Sequence, residues 1–185
     1  CNPTEPVLLV IGGSQGSARM NGLVMGIVPE LLARYGLMHQ IGSGTYADCM
    51  KRLGMMEREL APGLRANYRP SEFLDRDMAE AYAAADCVVS RAGSAIFEIA
   101  AYGKPSVVIP LPEAANDHQR MNAAAYAATG AAIMLEEKDM SGIALMDAIE
   151  RAMENRETMG AIEKRFAKPE AAKRIAEDIL EITGI

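Results

Sequence analysis

The run at residues 12–17 (GGSQGS) contains the residue types that bind anions through the backbone. It follows the apolar run Val7–Ile11 and precedes an amphipathic stretch, which predicts a turn from a buried strand into a helix. Glycines allow a ligand to approach closely, and a helix start offers free N–H groups and a positive dipole end. The run therefore predicts a phosphate or diphosphate site, with a tight turn that only packs the helix as the alternative. It is not a Walker A loop, because no Lys follows, and it is not a GxGxxG loop.

A second polar loop, residues 90–98 (SRAGSAIFE), follows the apolar run that begins at Cys87. Ser94 is expected to cap the next helix, and Glu98 then lies about one turn inside it. A carboxylate at that position can accept hydrogen bonds from both hydroxyls of a ribose. The alternative is that Glu98 only interacts with the helix dipole, which stabilises a helix by about 0.3–1 kcal/mol.

A third loop, residues 113–120 (EAANDHQR), is dense in side-chain donors and acceptors, which suits the hydroxyls of a sugar. The alternative is an ordinary helix start that is capped by Asn116 or Asp117. His118 is assigned no role as a general base, because no nucleophile and no second acid is placed with it.

A fourth segment, residues 72–77 (EFLDRD), combines an apolar pair with two acids. Phe73 and Leu74 suit an apolar shelf for a flat base, with core packing as the alternative for Phe73. Asp75 and Asp77 have the spacing of a short acidic metal-binding motif (DxD). We interpret Asp77 instead as the cap of the following helix, and we predict neither a metal site nor a cofactor.

The end of the second predicted strand, residues 39–42 (HQIG), carries no carboxylate. A domain that binds a nicotinamide dinucleotide would place an acid there for the ribose. We therefore do not expect NAD to be the preferred ligand.

These loops must be positioned by elements that alternate in type along the chain. Strands are predicted at residues 7–11, 39–41, 64–68, 87–90, 105–111 and 131–135. Helices are predicted at residues 17–35, 46–60, 78–85, 94–102, 117–129 and 141–182, the last with a break at residues 168–169. Such βαβ units form a parallel sheet with helices on both faces. We predict an α/β fold with a doubly wound, Rossmann-like parallel sheet of about six strands, whose ligands bind beyond the carboxyl ends of the strands.

The composition fits one globular domain over residues 1–185. The net charge is −6 and no basic cluster occurs, which excludes nucleic acid as an expected partner. Cys1, Cys49 and Cys87 are odd in number and widely spaced, which favours reduced thiols. No run of 18 apolar residues occurs. Because the chain starts at Cys1 and not at Met, we expect a fragment that lacks an N-terminal part.

Taken together, the motifs resemble the C-terminal domain of the MurG-like N-acetylglucosaminyltransferases of glycosyltransferase family 28. The resemblance runs in the same order along nearly the whole chain. The motifs that carry it are GGSQGS (12–17), EFL (72–74), DMAEAYAAAD (77–86), SRAGS (90–94), Glu98, AAYGKPS (100–106), DHQ (117–119), NA (122–123) and GAA (130–132). It implies the C-terminal half of a GT-B glycosyltransferase. The chain departs from the family pattern in two places: it has one residue fewer between Arg91 and Glu98, and it has an extra residue, Arg76.

The resemblance implies which residues bind a UDP-sugar donor. The glycine loop would lie against the diphosphate, Leu74 would contact uracil, Glu98 would hold the ribose hydroxyls, and His118 with Gln119 would hold the sugar. Arg91 and Ser94 would flank the nucleotide. The full set of implied donor-binding residues is Gly13, Ser14, Gln15, Gly16, Phe73, Leu74, Arg91, Ser94, Glu98, His118 and Gln119.

The resemblance also implies an activity and its partners. The complete enzyme would transfer N-acetylglucosamine from UDP-N-acetylglucosamine to lipid I, forming lipid II for peptidoglycan synthesis, with inversion and without a metal. A separate N-terminal domain would supply the acceptor site, the general base and a peripheral contact with the cytoplasmic face of the membrane. The isolated chain would bind the donor but not transfer the sugar. Three alternatives stay open: a sugar-nucleotide epimerase domain, the donor-binding subunit of a split transferase, and a regulatory module that binds UDP-sugars.

Overall fold

The sheet has six parallel strands in the order β3-β2-β1-β4-β5-β6, in a computed structural model that describes residues 5–56, 60, 63–112 and 117–183. The strands are β1 Val7–Ile11, β2 Gly36–Gln40, β3 Tyr68–Ser71, β4 Cys87–Arg91, β5 Ser106–Ile109 and β6 Ala132–Met134. This order reverses direction between β1 and β4, which are paired with Leu8 opposite Cys87. The predicted doubly wound α/β fold is therefore confirmed.

Helices connect the strands and cover both faces of the sheet. They are α1 Ala18–Gly26, α2 Val28–Leu32, α3 Tyr46–Met56, α4 Met78–Ala84, α5 Ala95–Tyr102, α6 His118–Ala128, α7 Gly142–Glu154, α8 Arg156–Phe166 and α9 Ala171–Thr183. Two 3-10 turns, Leu64–Asn67 and Glu137–Asp139, lie before β3 and after β6.

Side chains of β1 alternate between two hydrophobic clusters, as expected for a strand that is buried on both faces. Leu8 and Val10 pack in the larger cluster, which includes residues of α1, α2, α3 and α7. Leu9 and Ile11 pack in a second cluster with residues of α4 and α5. The sheet is thus covered on both faces, and only the loops at the ends of its strands are left open to a ligand.

The prediction of a single helix over residues 17–35 is wrong, because the structure contains two helices there. Helix α1 ends at Gly26, Ile27 leaves the helical region with φ −124° and ψ 16°, and Pro29 lies at the start of α2. Proline has no N–H and its ring clashes with the preceding turn, so it begins a helix readily but does not continue one. The helical segment at residues 141–182 is interrupted at Asn155 as well as at the predicted break.

The third strand was predicted four residues too early, at 64–68. Gly63 has φ 90° and starts the 3-10 turn Leu64–Asn67, and β3 begins only at Tyr68, which pairs with Leu37 of β2. Pro70 lies inside β3 and is tolerated because β3 is the edge strand, where one ladder donor is not needed.

Cys49 and Cys87 are both buried and carry reduced thiols, and Cys1 lies outside the described residues. None of the helices in the described ranges is both long enough and apolar enough to cross a bilayer.

Candidate functional site

A cleft of about 590 Å³ lies at the carboxyl edge of the sheet, where the strand order reverses between β1 and β4. Open α/β sheets bind ligands at this kind of switch point. Seven of the eleven predicted site residues line it: Gly13, Ser14, Gln15, Gly16, Arg91, Ser94 and Gln119. The loops after β1 and β4 and the start of α6 therefore meet at one place, as the strand pattern predicted.

The glycine loop is braced from behind by the loop after β2, residues 42–45. The backbone N–H of Ser43 donates to Ser14 O (3.2 Å), and that of Gly44 donates to Gln15 O (2.9 Å). Gly13 and Gly16 have φ angles of 84° and 86°, which glycine adopts without strain. The loop is thus held by the hydrogen bonds that its carbonyl oxygens accept, and its two positive φ angles require glycine.

Beneath this loop, a buried polar network links three elements. Nε2 of His39 lies 3.1 Å from Asn21 Oδ1, and its Nδ1 lies 3.0 Å from the hydroxyl of Tyr68. The Asn21 amide donates to Ile41 O (2.7 Å) and to Thr45 Oγ1 (2.8 Å). Asn21 Oδ1 can only accept, so the consistent assignment is a neutral imidazole that carries its proton on Nε2. This network joins α1, β2 and β3, and it ties them to the loop that braces the glycine loop.

Burial lowers the pKa of His39 to about 4, because an imidazolium in this apolar setting would lose its hydration. The neutral form that the network requires is therefore the form that burial favours.

An ion pair that was not predicted lies in the wall of the cleft. Arg91 Nη1 donates to Glu137 Oε2 (2.7 Å), and both side chains are largely buried, with 13% and 7% exposure. Arg91 Nη2 also donates to Ser17 Oγ at 2.5 Å. Arg19 reaches the same acid, with Nε 3.5 Å from Glu137 Oε1 and Nη2 2.8 Å from Glu137 O. One buried acid thus holds two arginines at the edge of the cleft.

Glu98 lies on α5 but does not line this cleft. It is exposed, and its carboxylate interacts with the Tyr82 hydroxyl of α4. Burial of Tyr82, together with the charge and hydrogen bonding of Glu98, raises the pKa of that phenol. The ribose role of Glu98 stays a prediction, and the structure adds Tyr82 as the group that contacts its carboxylate.

Phe73 and Leu74 lie outside the cleft lining, on the loop after β3. Phe73 is 54% exposed, so core packing is not its environment. The backbone N–H of Leu74 donates to Oε1 of the buried Gln40 at 3.1 Å, which ties this loop to the end of β2. An exposed apolar side chain next to an anchored one is compatible with the predicted shelf for a base.

The start of α6 carries the last predicted pair. Gln119 lines the cleft, and its Oε1 accepts a hydrogen bond from Leu111 N (3.1 Å). His118 is exposed and does not line the cleft. Asp117 occupies the N-cap position with φ 56°, and the alternative cap, Asn116, lies outside the described residues.

The capping contacts expected of Asp77, Ser94 and Asp117 are absent. Each residue precedes its helix directly, but none of the three side chains makes a capping hydrogen bond. Asp77 and Ser94 have backbone angles in the helical region, whereas a capping side chain normally requires an extended residue. Ser17 and Ser141, which are extended, do cap α1 and α7.

Over the ranges that the structure covers, no three His, Cys, Asp or Glu side chains are grouped so that they could hold a metal ion. The positive groups of the cleft are Arg19 and Arg91, and the helix α1 begins at its glycine loop. Arginine side chains and a helix start are both groups that attract phosphate oxygens.

The fold and the cleft define a doubly wound α/β domain with two arginines and a helix start at its switch point. Residues 7–179 match the family described as glycosyltransferase family 28 C-terminal domain, and the chain belongs to that family.

Relatives and solved structures agree with this assignment. The chain is 37% identical to a UDP-N-acetylglucosamine--N-acetylmuramyl-(pentapeptide) pyrophosphoryl-undecaprenol N-acetylglucosamine transferase of Chlorobium luteolum, over 98% of this chain and 48% of the relative. It is 38% identical to the enzyme of the same name from Anaeromyxobacter sp. (strain K), over 96% of this chain and 46% of that one. The chain therefore spans about half the length of these relatives.

Among solved structures, Acinetobacter baumannii MurG superposes with a TM-score of 0.81 at 26% identity, over 97% of this chain and 53% of that one. A UDP-GlcNAc 2-epimerase from Neisseria meningitidis gives a TM-score of 0.62 over 96% of this chain and 44% of that one. Its identity of 16% shows a shared fold alone.

Proposed function

We propose that the chain is the donor-binding half of the N-acetylglucosaminyltransferase that converts lipid I to lipid II in peptidoglycan synthesis. The observation that carries the proposal is the cleft at the β1–β4 switch point, where the glycine loop, Arg91 and Gln119 converge in a family 28 domain. The donor is UDP-N-acetylglucosamine. The acceptor site, the general base and a peripheral contact with the cytoplasmic face of the membrane belong to an N-terminal half.

The chemistry that this cleft supports is stabilisation of a leaving diphosphate. In an inverting transfer, the acceptor hydroxyl attacks the anomeric carbon, the bond to the UDP oxygen breaks, and negative charge develops on the diphosphate. Donors that are already aimed at that charge lower the barrier without reorganising. The glycine loop, fixed by its bonds to residues 42–45, and the start of α1 are such donors. The reaction then needs no metal ion.

The other parts of the donor are assigned to the surrounding loops. Leu74 contacts the uracil, beside Phe73, and Glu98 accepts the ribose hydroxyls. His118 and Gln119 bind the sugar, and Ser94 lies beside the nucleotide. Glu98 and His118 lie outside the cleft lining, so in this proposal the donor extends from the cleft towards α5 and α6.

A reconstitution assay tests the proposal. The 185-residue chain is mixed with radiolabelled UDP-N-acetylglucosamine and lipid I, alone and together with a separately produced N-terminal half of the transferase. We expect lipid II only in the combined sample. Turnover by the chain alone would show that the acceptor site has been misplaced, and release of an epimerised sugar without any acceptor would point to an epimerase instead.

A further inference from the structure

The hydroxyl of Ser17 has both of its acceptor positions occupied. Its Oγ accepts from the backbone N–H of Met20 (3.4 Å), which caps α1, and from Arg91 Nη2 (2.5 Å). A serine hydroxyl has two lone pairs and one proton. Among the described residues, the Ser17 hydroxyl donates no hydrogen bond, and Ser17 lines the cleft. The free O–H is therefore available to a ligand.

Arg91 is held in place by contacts on three sides. Glu137 accepts from its Nη1, and the carbonyl oxygens of Ile109 and Pro110 lie 3.4 Å from the same nitrogen. The planar guanidinium thus spans the ends of β4 and β5 and the 3-10 turn after β6, with Nη2 directed at Ser17. Lysine could not reproduce this arrangement, because it has one nitrogen where arginine has a rigid fork.

We propose that the Ser17 hydroxyl donates a hydrogen bond to the diphosphate of the donor, and that Arg91, fixed by Glu137, is the positioning residue that orients it. This inference rests on the proposed function, since it takes the cleft as the diphosphate site. Arg91 donates to Ser17 Oγ and Glu137 accepts from Arg91, so the array polarises the hydroxyl towards donation. A phosphate oxygen, which is anionic and only accepts, is the complementary ligand.

The array also explains why an acid is tolerated in a cleft for an anion. Glu137 is nearly buried, and a buried carboxylate requires partners of opposite charge. Arg91 and Arg19 both pair with it, so the three side chains together carry one positive charge. The acid therefore fixes the arginines without making the cleft negative.

Titration of the 185-residue chain with UDP and with uridine tests the role of Ser17. Because a hydrogen bond to a charged group is lost, Ser17→Ala is expected to weaken UDP binding by about 10-fold or more. Uridine has no phosphate, so its affinity should be unchanged. Ser141→Ala is the matched control, because Ser141 caps α7 through Ala144 N in the same way but does not line the cleft. It should lower the melting temperature comparably and leave both affinities alone.

A double-mutant cycle tests the role of Arg91. Arg91→Lys retains the charge but loses the fork, so the hydroxyl is no longer oriented. In that background the penalty of Ser17→Ala for UDP should shrink from about 10-fold to less than about 3-fold, as expected for coupled residues. An undiminished penalty would overturn the positioning role.

The outcomes separate this inference from the proposed function. If the wild-type chain binds UDP and Ser17→Ala binds it equally well, the donor role of Ser17 is overturned while the proposed function stands. Equal losses for UDP and uridine in Ser17→Ala would make Ser17 only a structural cap and would also overturn it. If the wild-type chain does not bind UDP, the proposed function fails and this inference fails with it.

Discussion

Gly42 packs directly against Gly16, so that a Cβ atom on Gly42 would collide with the backbone nitrogen and Cα of Gly16. Gly42 also has a φ of 86°, a conformation that a side chain disfavours. The loop after β2 and the glycine loop are therefore in backbone contact, which allows the hydrogen bonds from Ser43 and Gly44 to form.

Replacing Gly42 with alanine should damage both the fold and the binding loop. The positive φ and the collision with Gly16 should together lower the free energy of unfolding by roughly 2–4 kcal/mol. Gly54→Ala is the control, because Gly54 is an exposed residue of α3 where an added Cβ atom meets open space, and there we expect a gain of about 0.5–1 kcal/mol. Urea unfolding measures both values. Similar stabilities for the two variants would show that the loop after β2 and the glycine loop are not in close contact.

His39 should make the stability of the chain depend on pH. Because folding lowers its pKa from 6.5 to about 4, the unfolded chain binds the extra proton in that window. The stabilising contribution is complete above pH 6.5 and is lost as the pH falls towards 4. Between pH 7 and pH 5 this residue should account for a loss of roughly 2 kcal/mol in the free energy of unfolding.

Urea unfolding of His39→Gln at pH 7 and pH 5 isolates this contribution. The variant should be less stable than wild type at pH 7, since it loses part of the network with Asn21 and Tyr68. Its loss between the two pH values should be smaller by about 2 kcal/mol. A His39→Gln variant with the same pH dependence as wild type would mean that His39 is not buried in the neutral form.

Glu98→Gln tests the ribose contact. The change keeps the shape and removes the charge, so UDP affinity should fall by about 10- to 150-fold. Glu80→Gln is the matched control, because Glu80 is an exposed acid in the first turn of α4. Both variants should lose less than about 1 kcal/mol of stability through the helix dipole. Unchanged UDP affinity in Glu98→Gln would mean that Glu98 interacts only with the helix dipole and with Tyr82. The nucleotide would then have to be placed elsewhere.

The parts of the fold that sequence predicted best are those governed by local patterns. The apolar run Val7–Ile11 followed by glycines identified β1 and the loop at the switch point, because a strand buried on both faces has no polar alternation. The predicted ends of strands and helices were less accurate where a turn interrupts an apolar pattern. Residues 64–68 are a case in point, since Gly63 starts a 3-10 turn that periodicity does not reveal.

The ion pair of Arg91 and Glu137 was not predicted because nothing local distinguishes Glu137. It is one of two adjacent acids in a polar stretch after β6, and its partners Arg91 and Arg19 are 46 and 118 residues away in sequence. Its burial depends on the path of the chain after β6, which passes the end of β5 and brings Glu137 to Arg91 at the end of β4. His39 is similar: its neighbours on β2 gave no indication that Asn21 and Tyr68 would meet it.

The central claim is that the cleft between the loops after β1 and β4 binds a uridine diphosphate. Isothermal titration of the 185-residue chain with UDP and with NAD, in one buffer and at one salt concentration, tests it most directly. With no carboxylate at the end of β2 and with the glycine loop at the start of α1, we predict measurable UDP binding that is tighter than that of NAD. Tighter binding of NAD, or the absence of any heat with UDP, would contradict the account.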